Sequence, residues 1–373
     1  MKIGITCYPS VGGSGVLASA LGHELARRGH EIHFISYERP FRVNDSLPGI
    51  HFHPVSINDY GLFKYPDYTL PLSVKMAEVS RDCELDVLHV HYAVPHATAA
   101  ILARSMLRGK RRPRVVTTLH GTDTTLLGRD TGYAPAIRHA LMSSDAVTAV
   151  SGWLRDETRH LLELGRPIDV IHNFFAPRKP RRSIEEVRQE LGLKDESIVL
   201  HLSNLRPVKR VDLLLDAVAR IGRDANFKLV ILAGADFTPF VDHVRRLGIE
   251  DRVVVRERVS DVEDYLQAAD LGLFSSETES FCLSLLETMW FGCPSVSTAV
   301  GGIPEVMTSE IEGLLVPPGD AAALARGVED LLADERRRTR LGRAAQRRAR
   351  THFSADRIVP QYEALYRRVV AKR

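Results

Sequence analysis

The chain has 373 residues, 44% of them hydrophobic and 26% charged, with a formal charge of +3 at neutral pH. That composition excludes a disordered chain, and the near-neutral balance argues against a general nucleic-acid binder, which needs a strongly basic face. No apolar run approaches the roughly 20 residues that span a bilayer, and the length favours two or three domains. Cys7, Cys83, Cys282 and Cys293 are scattered and form no Cys-x-x-Cys pair. With a first strand that begins at once and no signal-like segment before it, the expected compartment is reducing and cytoplasmic, without stable membrane insertion.

Short runs rich in Val, Ile and Leu read as strands over 2–6, 31–35, 86–92, 114–119, 146–150 and 169–172. Helical patterns such as 15–28 and 95–107 fall between them. Continuous apolar strands between amphipathic helices predict a parallel sheet covered on both faces, doubly wound by right-handed crossovers. The segment 176–183 (APRKPRRS), with two prolines and four basic residues, breaks the alternation and reads as an interdomain linker. Strands then recur at 197–202, 228–233, 252–255, 271–274, 295–298 and 313–316, with helices including 211–221, 283–291 and 321–332. The arginine-rich stretch 336–350 reads as a solvated helix face, and a last helix covers 355–371. Two α/β domains are expected, 1–175 and 176–354, with ligands beyond the carboxyl ends of the strands and a cleft between facing domains.

The loops at those ends carry the chemistry. Pro9-Ser10-Val11-Gly12-Gly13-Ser14-Gly15 joins the first strand to a helix, where glycines let backbone approach an anion; a plain tight turn is the alternative, since the dinucleotide spacing Gly-x-Gly-x-x-Gly is missing. Thr117-Thr118-Leu119-His120-Gly121-Thr122-Asp123 closes another strand, and His120 there is placed to donate to a sugar hydroxyl or to developing charge. His51/His53 and His89/His91 share strand faces, but with no carboxylate or cysteine at a ligand spacing they read as strand packing, and no metal is expected. Ser203-Asn204-Leu205-Arg206-Pro207-Val208-Lys209-Arg210 sets three cations beside a helix start, suited to a diphosphate. The strongest signal is Glu277-Thr278-Glu279-Ser280-Phe281-Cys282-Leu283-Ser284-Leu285-Leu286-Glu287: carboxylates flank a helix entrance, suiting hydroxyls on either side of a phosphate, although paired glutamates at a helix start also occur as dipole complements. Gly301-Gly302-Ile303-Pro304-Glu305 adds a further turn to the same region.

These motifs, together with Gly313-Leu314-Leu315-Val316, resemble the family-4 retaining glycosyltransferases, and the similarity covers essentially the whole chain. The segments 5–15, His91-Tyr92-Ala93-Val94-Pro95-His96 and 117–123 resemble a narrower group within the family. The resemblance implies the GT-B fold, two Rossmann-like domains facing a cleft, with the last helix (355–373) crossing back onto the first. It implies transfer of N-acetylglucosamine from UDP-N-acetylglucosamine to L-malate at the opening of bacillithiol biosynthesis, with UDP leaving and neither cofactor nor metal required. Glu279, Lys209, Arg206 and His120 are then the catalytic set. Gly13, Ser14, Asn204, Gly234, Val259, Ser280, Phe281, Cys282, Leu283 and Glu287 fall to the donor, with Glu287 on the ribose. Ser14, Tyr92, Thr118 and Arg138 fall to the acceptor. Three positions depart from the family pattern: Ser203-Asn204-Leu205 replaces Gly-Arg-Leu, so Arg206 takes over the missing arginine, and Cys282 and Glu257 stand where glycine is frequent. Another acceptor, a lipid or glycan, is the rival within the family, with Phe41, Leu62, Phe63 and Tyr65 as its apolar hints. A UDP-sugar epimerase and a non-catalytic sugar-nucleotide binder are the rivals outside it, and assembly into a homo-oligomer is left open.

Overall fold

The computed structural model describes residues 1–9, 13–44, 46–57, 67–109 and 112–372; Ser10, Val11, Gly12, Leu62, Phe63 and Tyr65 lie outside the described residues. The chain divides into two compact units, Met1–Asn173 with Ala355–Arg373, and Phe174–Ser354.

The first unit runs β1 (Lys2–Thr6), α1 (Gly13–Arg27), β2 (Glu31–Ser36), β3 (Ile50–Pro54), α2 (Thr69–Asp82), β4 (Val87–His91), α3 (Thr98–Met106), β5 (Arg114–Leu119), α4 (Ala134–Ser143), β6 (Ala146–Ala149), α5 (Gly152–Leu161) and β7 (Asp169–Val170). Its sheet has the order β3-β2-β1-β4-β5-β6-β7, and every pair is parallel. The central strands are buried on both faces, as Ile3, Ile5, Val87, Leu88, Val115 and Val116 show. Covering each such side chain is worth about 1.5–3 kcal/mol, and that is why apolar runs rather than alternating ones mark these strands. β3 is the edge strand that apolar patterning does not reveal, since it reads Ile-His-Phe-His-Pro and only Ile50 is buried.

The second unit runs α6 (Ile184–Glu190), β8 (Ser197–Ser203), α7 (Val211–Arg220), β9 (Phe227–Ala233), α8 (Thr238–Leu247), β10 (Val253–Glu257), α9 (Val262–Ala268), β11 (Leu271–Phe274), α10 (Leu283–Trp290), β12 (Ser295–Thr298), α11 (Ile303–Val306), β13 (Gly313–Val316), α12 (Ala321–Ala333) and α13 (Glu335–His352). The sheet order is β10-β9-β8-β11-β12-β13, again all parallel. α7 buries Leu214, Leu215 and Val218 in one core with Val199, Leu229 and Ile231 of β8 and β9. The basic segment 176–183 is bound into this unit rather than strung as a bare connector. The Arg181 amide and the Arg182 guanidinium donate to the buried Asp264, at 2.7 and 2.9 Å, and Ser183 and Glu186 close a capping box on α6.

The last helix, α14 (Ala355–Val370), belongs to the first unit. Tyr362 and Tyr366 are fully buried there, and the Tyr366 hydroxyl bonds His89 Nδ1 at 2.7 Å. Glu363 takes a hydrogen bond from His30 Nε2 at 2.8 Å, and Arg368 pairs with Asp169.

Candidate active site

In an open parallel sheet the chain leaves two neighbouring strands toward opposite faces where the order reverses, and that switch point opens a crevice. In the second unit it lies between β8 and β11. β8 ends at Ser203, and the loop turns through Leu205 and Arg210, both in the left-handed region (φ 54° and 48°). This loop carries Arg206, exposed, and Lys209, partly buried. β11 delivers Ser275 and Ser276, and the Ser275 hydroxyl donates to the carbonyls of Lys209 and Arg210 at 2.9 and 2.8 Å, tying the two loops together.

Lys209 Nζ donates to Glu279 Oε1 at 2.5 Å, and the Ser276 hydroxyl donates to the same oxygen at 2.8 Å. Burial pulls the Lys209 ammonium toward neutrality, but the charge of Glu279 and its hydrogen bond outweigh that, so its pKa is raised and the cation persists. Glu279 is held from behind: its carbonyl accepts the Gly302 amide at 2.9 Å. Gly301 has φ 55°, and a Cβ there would stand 1.9 Å from the Glu279 carbonyl oxygen, so only glycine admits this approach.

Ser280 and Phe281 lead into α10, with the Phe281 ring edge-on to Phe353 at 5.6 Å. Cys282 caps the helix with φ 67°, a left-handed position that glycine fills at no cost. Burial drives its thiol well above the ordinary range, so the thiol stays protonated and inert. Leu283 is the first residue of α10, and Glu287 is half-buried one turn further on. Asn204 is exposed beside Gly234, whose amide donates to the Ser203 carbonyl at 2.9 Å. Val259 follows β10, and Glu257 accepts the Phe237 amide at 2.8 Å, a bond that glycine at this position would lack. The structure thus gathers Arg206, Lys209, Glu279 and the entrance of α10 at one switch point. Spacing alone did not single out Ser275 and Ser276, although two small polar residues directly after a strand were the available signal.

The switch point of the first unit lies between β1 and β4. Gly13 is the exposed first residue of α1, and the Ser14 hydroxyl bonds Tyr92 OH at 2.8 Å. Tyr92 follows β4 with φ 82°, its ring 5.1 Å from that of His120. His120 Nε2 bonds His91 Nδ1 at 2.8 Å, and His91 stacks on His89. Burial lowers the pKa of His89 and of His120 to about 3 and of His96 to about 4, and burial with the neighbouring imidazoles also holds that of His91 well below its ordinary value. The whole array is therefore neutral. Asp123 is buried and accepts the Ala93 amide at 2.7 Å; burial lifts its pKa to about 6 against the pull of the surrounding backbone N–H groups.

Thr118 lies one residue before the end of β5. It is fully buried, and its hydroxyl bonds His89 Nε2 and Thr148 Oγ1, each at 2.7 Å, so it supports His89 from inside the sheet. Arg138 is exposed on α4 and donates from Nε to the Leu162 carbonyl at 3.2 Å, whereas Ser14 and Tyr92 pair with each other. The histidine pairs also differ from the sequence expectation. His89 joins the hydroxyl chain, but His51 and His53 meet His33, Glu31 and Cys83, donors that spacing did not connect.

Residues 183–348 match the model of glycosyl transferases group 1, and residues 11–179 match that of glycosyltransferase family 4. The chain is 44% identical over 98% of its length, and 96% of the other's, to N-acetyl-alpha-D-glucosaminyl L-malate synthase of Bacillus anthracis. It is 29% identical, over 90% of its length and 88% of the other's, to D-inositol 3-phosphate glycosyltransferase of Xylanimonas cellulosilytica. Among solved structures, sucrose-phosphate synthase from Thermosynechococcus elongatus superposes with a TM-score of 0.82 over 100% of both chains at 22% identity. Anabaena HepE in complex with UDP-glucose does so at 0.81, over 98% of this chain and 99% of that one, also at 22% identity. The fold class is GT-B, with two Rossmann-like parallel-sheet domains. The chain belongs to glycosyltransferase family 4.

Proposed function

We propose that the chain transfers N-acetylglucosamine from UDP-N-acetylglucosamine to the hydroxyl of L-malate, with retention at the anomeric carbon and without a metal ion. The observation that carries this reading is 44% identity with the GlcNAc-malate synthase along nearly the full length of both chains. No helix among the described residues is long and apolar enough to cross a membrane.

The second unit takes the donor. Lys209 and Arg206 neutralise the diphosphate, the amides of Phe281, Cys282 and Leu283 at the start of α10 receive phosphate or sugar oxygens, and Glu287 accepts from the ribose hydroxyls. Glu279, anchored by Ser276 and Gly302, accepts from hydroxyls of the transferred sugar. The first unit takes the acceptor, with the Ser14 and Tyr92 hydroxyls and the Arg138 guanidinium reading malate and neutral His120 meeting the sugar. The malate oxygen bonds to the anomeric carbon as the bond from that carbon to the diphosphate oxygen breaks. The hydroxyl proton passes to the departing diphosphate, so no protein nucleophile is required. Acceleration then comes from positioning and from Lys209 holding the negative charge that grows on the leaving group.

Coupled UDP release with a panel of donors and hydroxy acids tests the assignment. Release that depends on both UDP-N-acetylglucosamine and L-malate, with an α linkage in the product NMR spectrum, is expected. Release from donor alone favours an epimerase, indifference to malate favours a lipid or glycan acceptor, and a β linkage sinks retention.

A further inference from the structure

β2 and β3 pair in parallel with His33 opposite His51 and Ile35 opposite His53, so Glu31, His33, His51 and His53 rise from one face at the sheet edge. The C-terminus of α2 brings Cys83 to the same place. One donor atom from each of His33, His53 and Cys83 lies within 4.8 Å of the others.

The hydrogen bonds define which atoms are available. Glu31 Oε1 lies 3.1 Å from His33 Nε2, and a carboxylate only accepts, so His33 Nε2 carries the proton and Nδ1 presents its lone pair. That lone pair receives the N–H of His53 Nε2 at 2.9 Å. A carboxylate behind an imidazole, fixing its tautomer, is the outer support that metal-ligating histidines use. Glu31, His33 and His51 form a second compact triplet, but that set would consume the support as a ligand and leave the sulfur out. A thiolate with two imidazoles suits a borderline-soft ion better.

We propose that His33 Nδ1, His53 Nε2 and Cys83 Sγ form a binding site for one zinc-class divalent ion, completed by a water molecule and supported by Glu31. Tetrahedral nitrogen ligands sit on the order of 3.3 Å apart, so the imidazole pair opens by a few tenths of an ångström while Cys83 closes in. On binding, His53 shifts its proton from Nε2 to Nδ1, and the Cys83 thiol gives one proton to solvent. One proton is released per ion, and no electron moves. The ion ties the edge strand β3 to the end of α2, and the site stands independently of the sugar-transfer reading.

The test uses the full chain, stripped with a chelator and titrated with Co²⁺. One ion per chain is expected, with the visible bands of a tetrahedral centre and a near-ultraviolet thiolate-to-cobalt charge-transfer band, and Zn²⁺ should displace it and raise Tm. Cys83→Ser should lose the charge-transfer band, His53→Ala should lose the tetrahedral spectrum, and Glu31→Gln should bind at least tenfold more weakly. All three should keep the parent far-ultraviolet spectrum and UDP release. Cobalt uptake without the charge-transfer band, a band that survives Cys83→Ser, or binding too weak to survive gel filtration overturns the site.

Discussion

The two units share one strand order, to which the first adds β7 as a seventh strand at one edge, yet their switch points are built from opposite materials. Beyond β8 and β11 the second unit places Lys209 against Glu279, with Arg206 exposed nearby. At the ends of β1, β4 and β5 the first unit places His91 against His120 and Ser14 against Tyr92, all uncharged near neutral pH. A parallel sheet prescribes where a ligand sits and nothing about its charge, so the chemistry is set by the few residues on each loop. A pyrophosphate needs cations and amides. The first unit offers part-buried hydrogen bonds between uncharged groups.

The largest difference should appear in acid. His89 and His120, near 6.5 when unfolded, stay neutral in the native state down to about 3, and His96 to about 4. Between those values the unfolded chain binds more protons, so stability is present above pH 6.5 and is lost as the pH falls. From pH 6.5 to 4.5 each of these groups costs up to about 2–3 kcal/mol. Asp123 works the other way, its raised pKa adding stability as the pH drops through about 6, but it is one group against several. The second unit has His201 as its buried histidine among the described residues. Hydrogen exchange at pH 7 and 4.5 should show the first unit losing protection first. Earlier loss in the second unit breaks the contrast.

Next in size is the charge at the second switch point. Lys209→Ala removes the cation assigned to the leaving group and should lower kcat by about a hundredfold or more, on the order of 3 kcal/mol. UDP-release kinetics beside an unfolding curve separate this from misfolding. Near-normal turnover would take the diphosphate role from Lys209. Gly301→Ala follows: the left-handed φ costs an L-residue roughly 1–2 kcal/mol, and the added Cβ must push the Glu279 carbonyl away. Donor KM should rise with the loss of stability, and an unchanged KM would show that the Glu279 backbone need not be fixed.

Much of the framework was legible in the sequence, since doubly buried strands write themselves as apolar runs and 277–287 sits at a strand-to-helix junction. β3 was not legible, because an edge strand with one buried residue need not be apolar. Neither was the attachment of 176–183, since its prolines and arginines resemble a linker until Asp264, more than 80 residues away, is folded beneath them. The family resemblance gives Thr118 to the acceptor, but the sequence does not show what its hydroxyl meets within the sheet. Its neighbours His89 and Thr148 come from other strands, and only the assembled sheet shows that they occupy it. The Glu31–His33–His53–Cys83 cluster was hidden for the same reason, since its members are spread over three elements.

The smallest effect concerns how the last helix is anchored, and it compares two attachments of one element. Asp356 on α14 pairs with Arg28 at 3.0 Å, but its side chain is 95% exposed, so Asp356→Ala should cost no more than about 1 kcal/mol. Tyr366 is fully buried, and its hydroxyl closes a chain through His89 and Thr118 to Thr148. A neutral imidazole donates through one nitrogen and accepts through the other, so each hydroxyl in that chain has a fixed partner. Tyr366→Phe keeps the ring and strands His89 Nδ1 without a partner in a site water does not reach, which costs about 1–3 kcal/mol. Urea unfolding of the two variants should therefore rank Tyr366→Phe as the more destabilised although it removes one neutral atom and leaves every charge in place. The reverse ranking would mean that surface charge, and not the buried imidazole chain, holds α14 to the first unit.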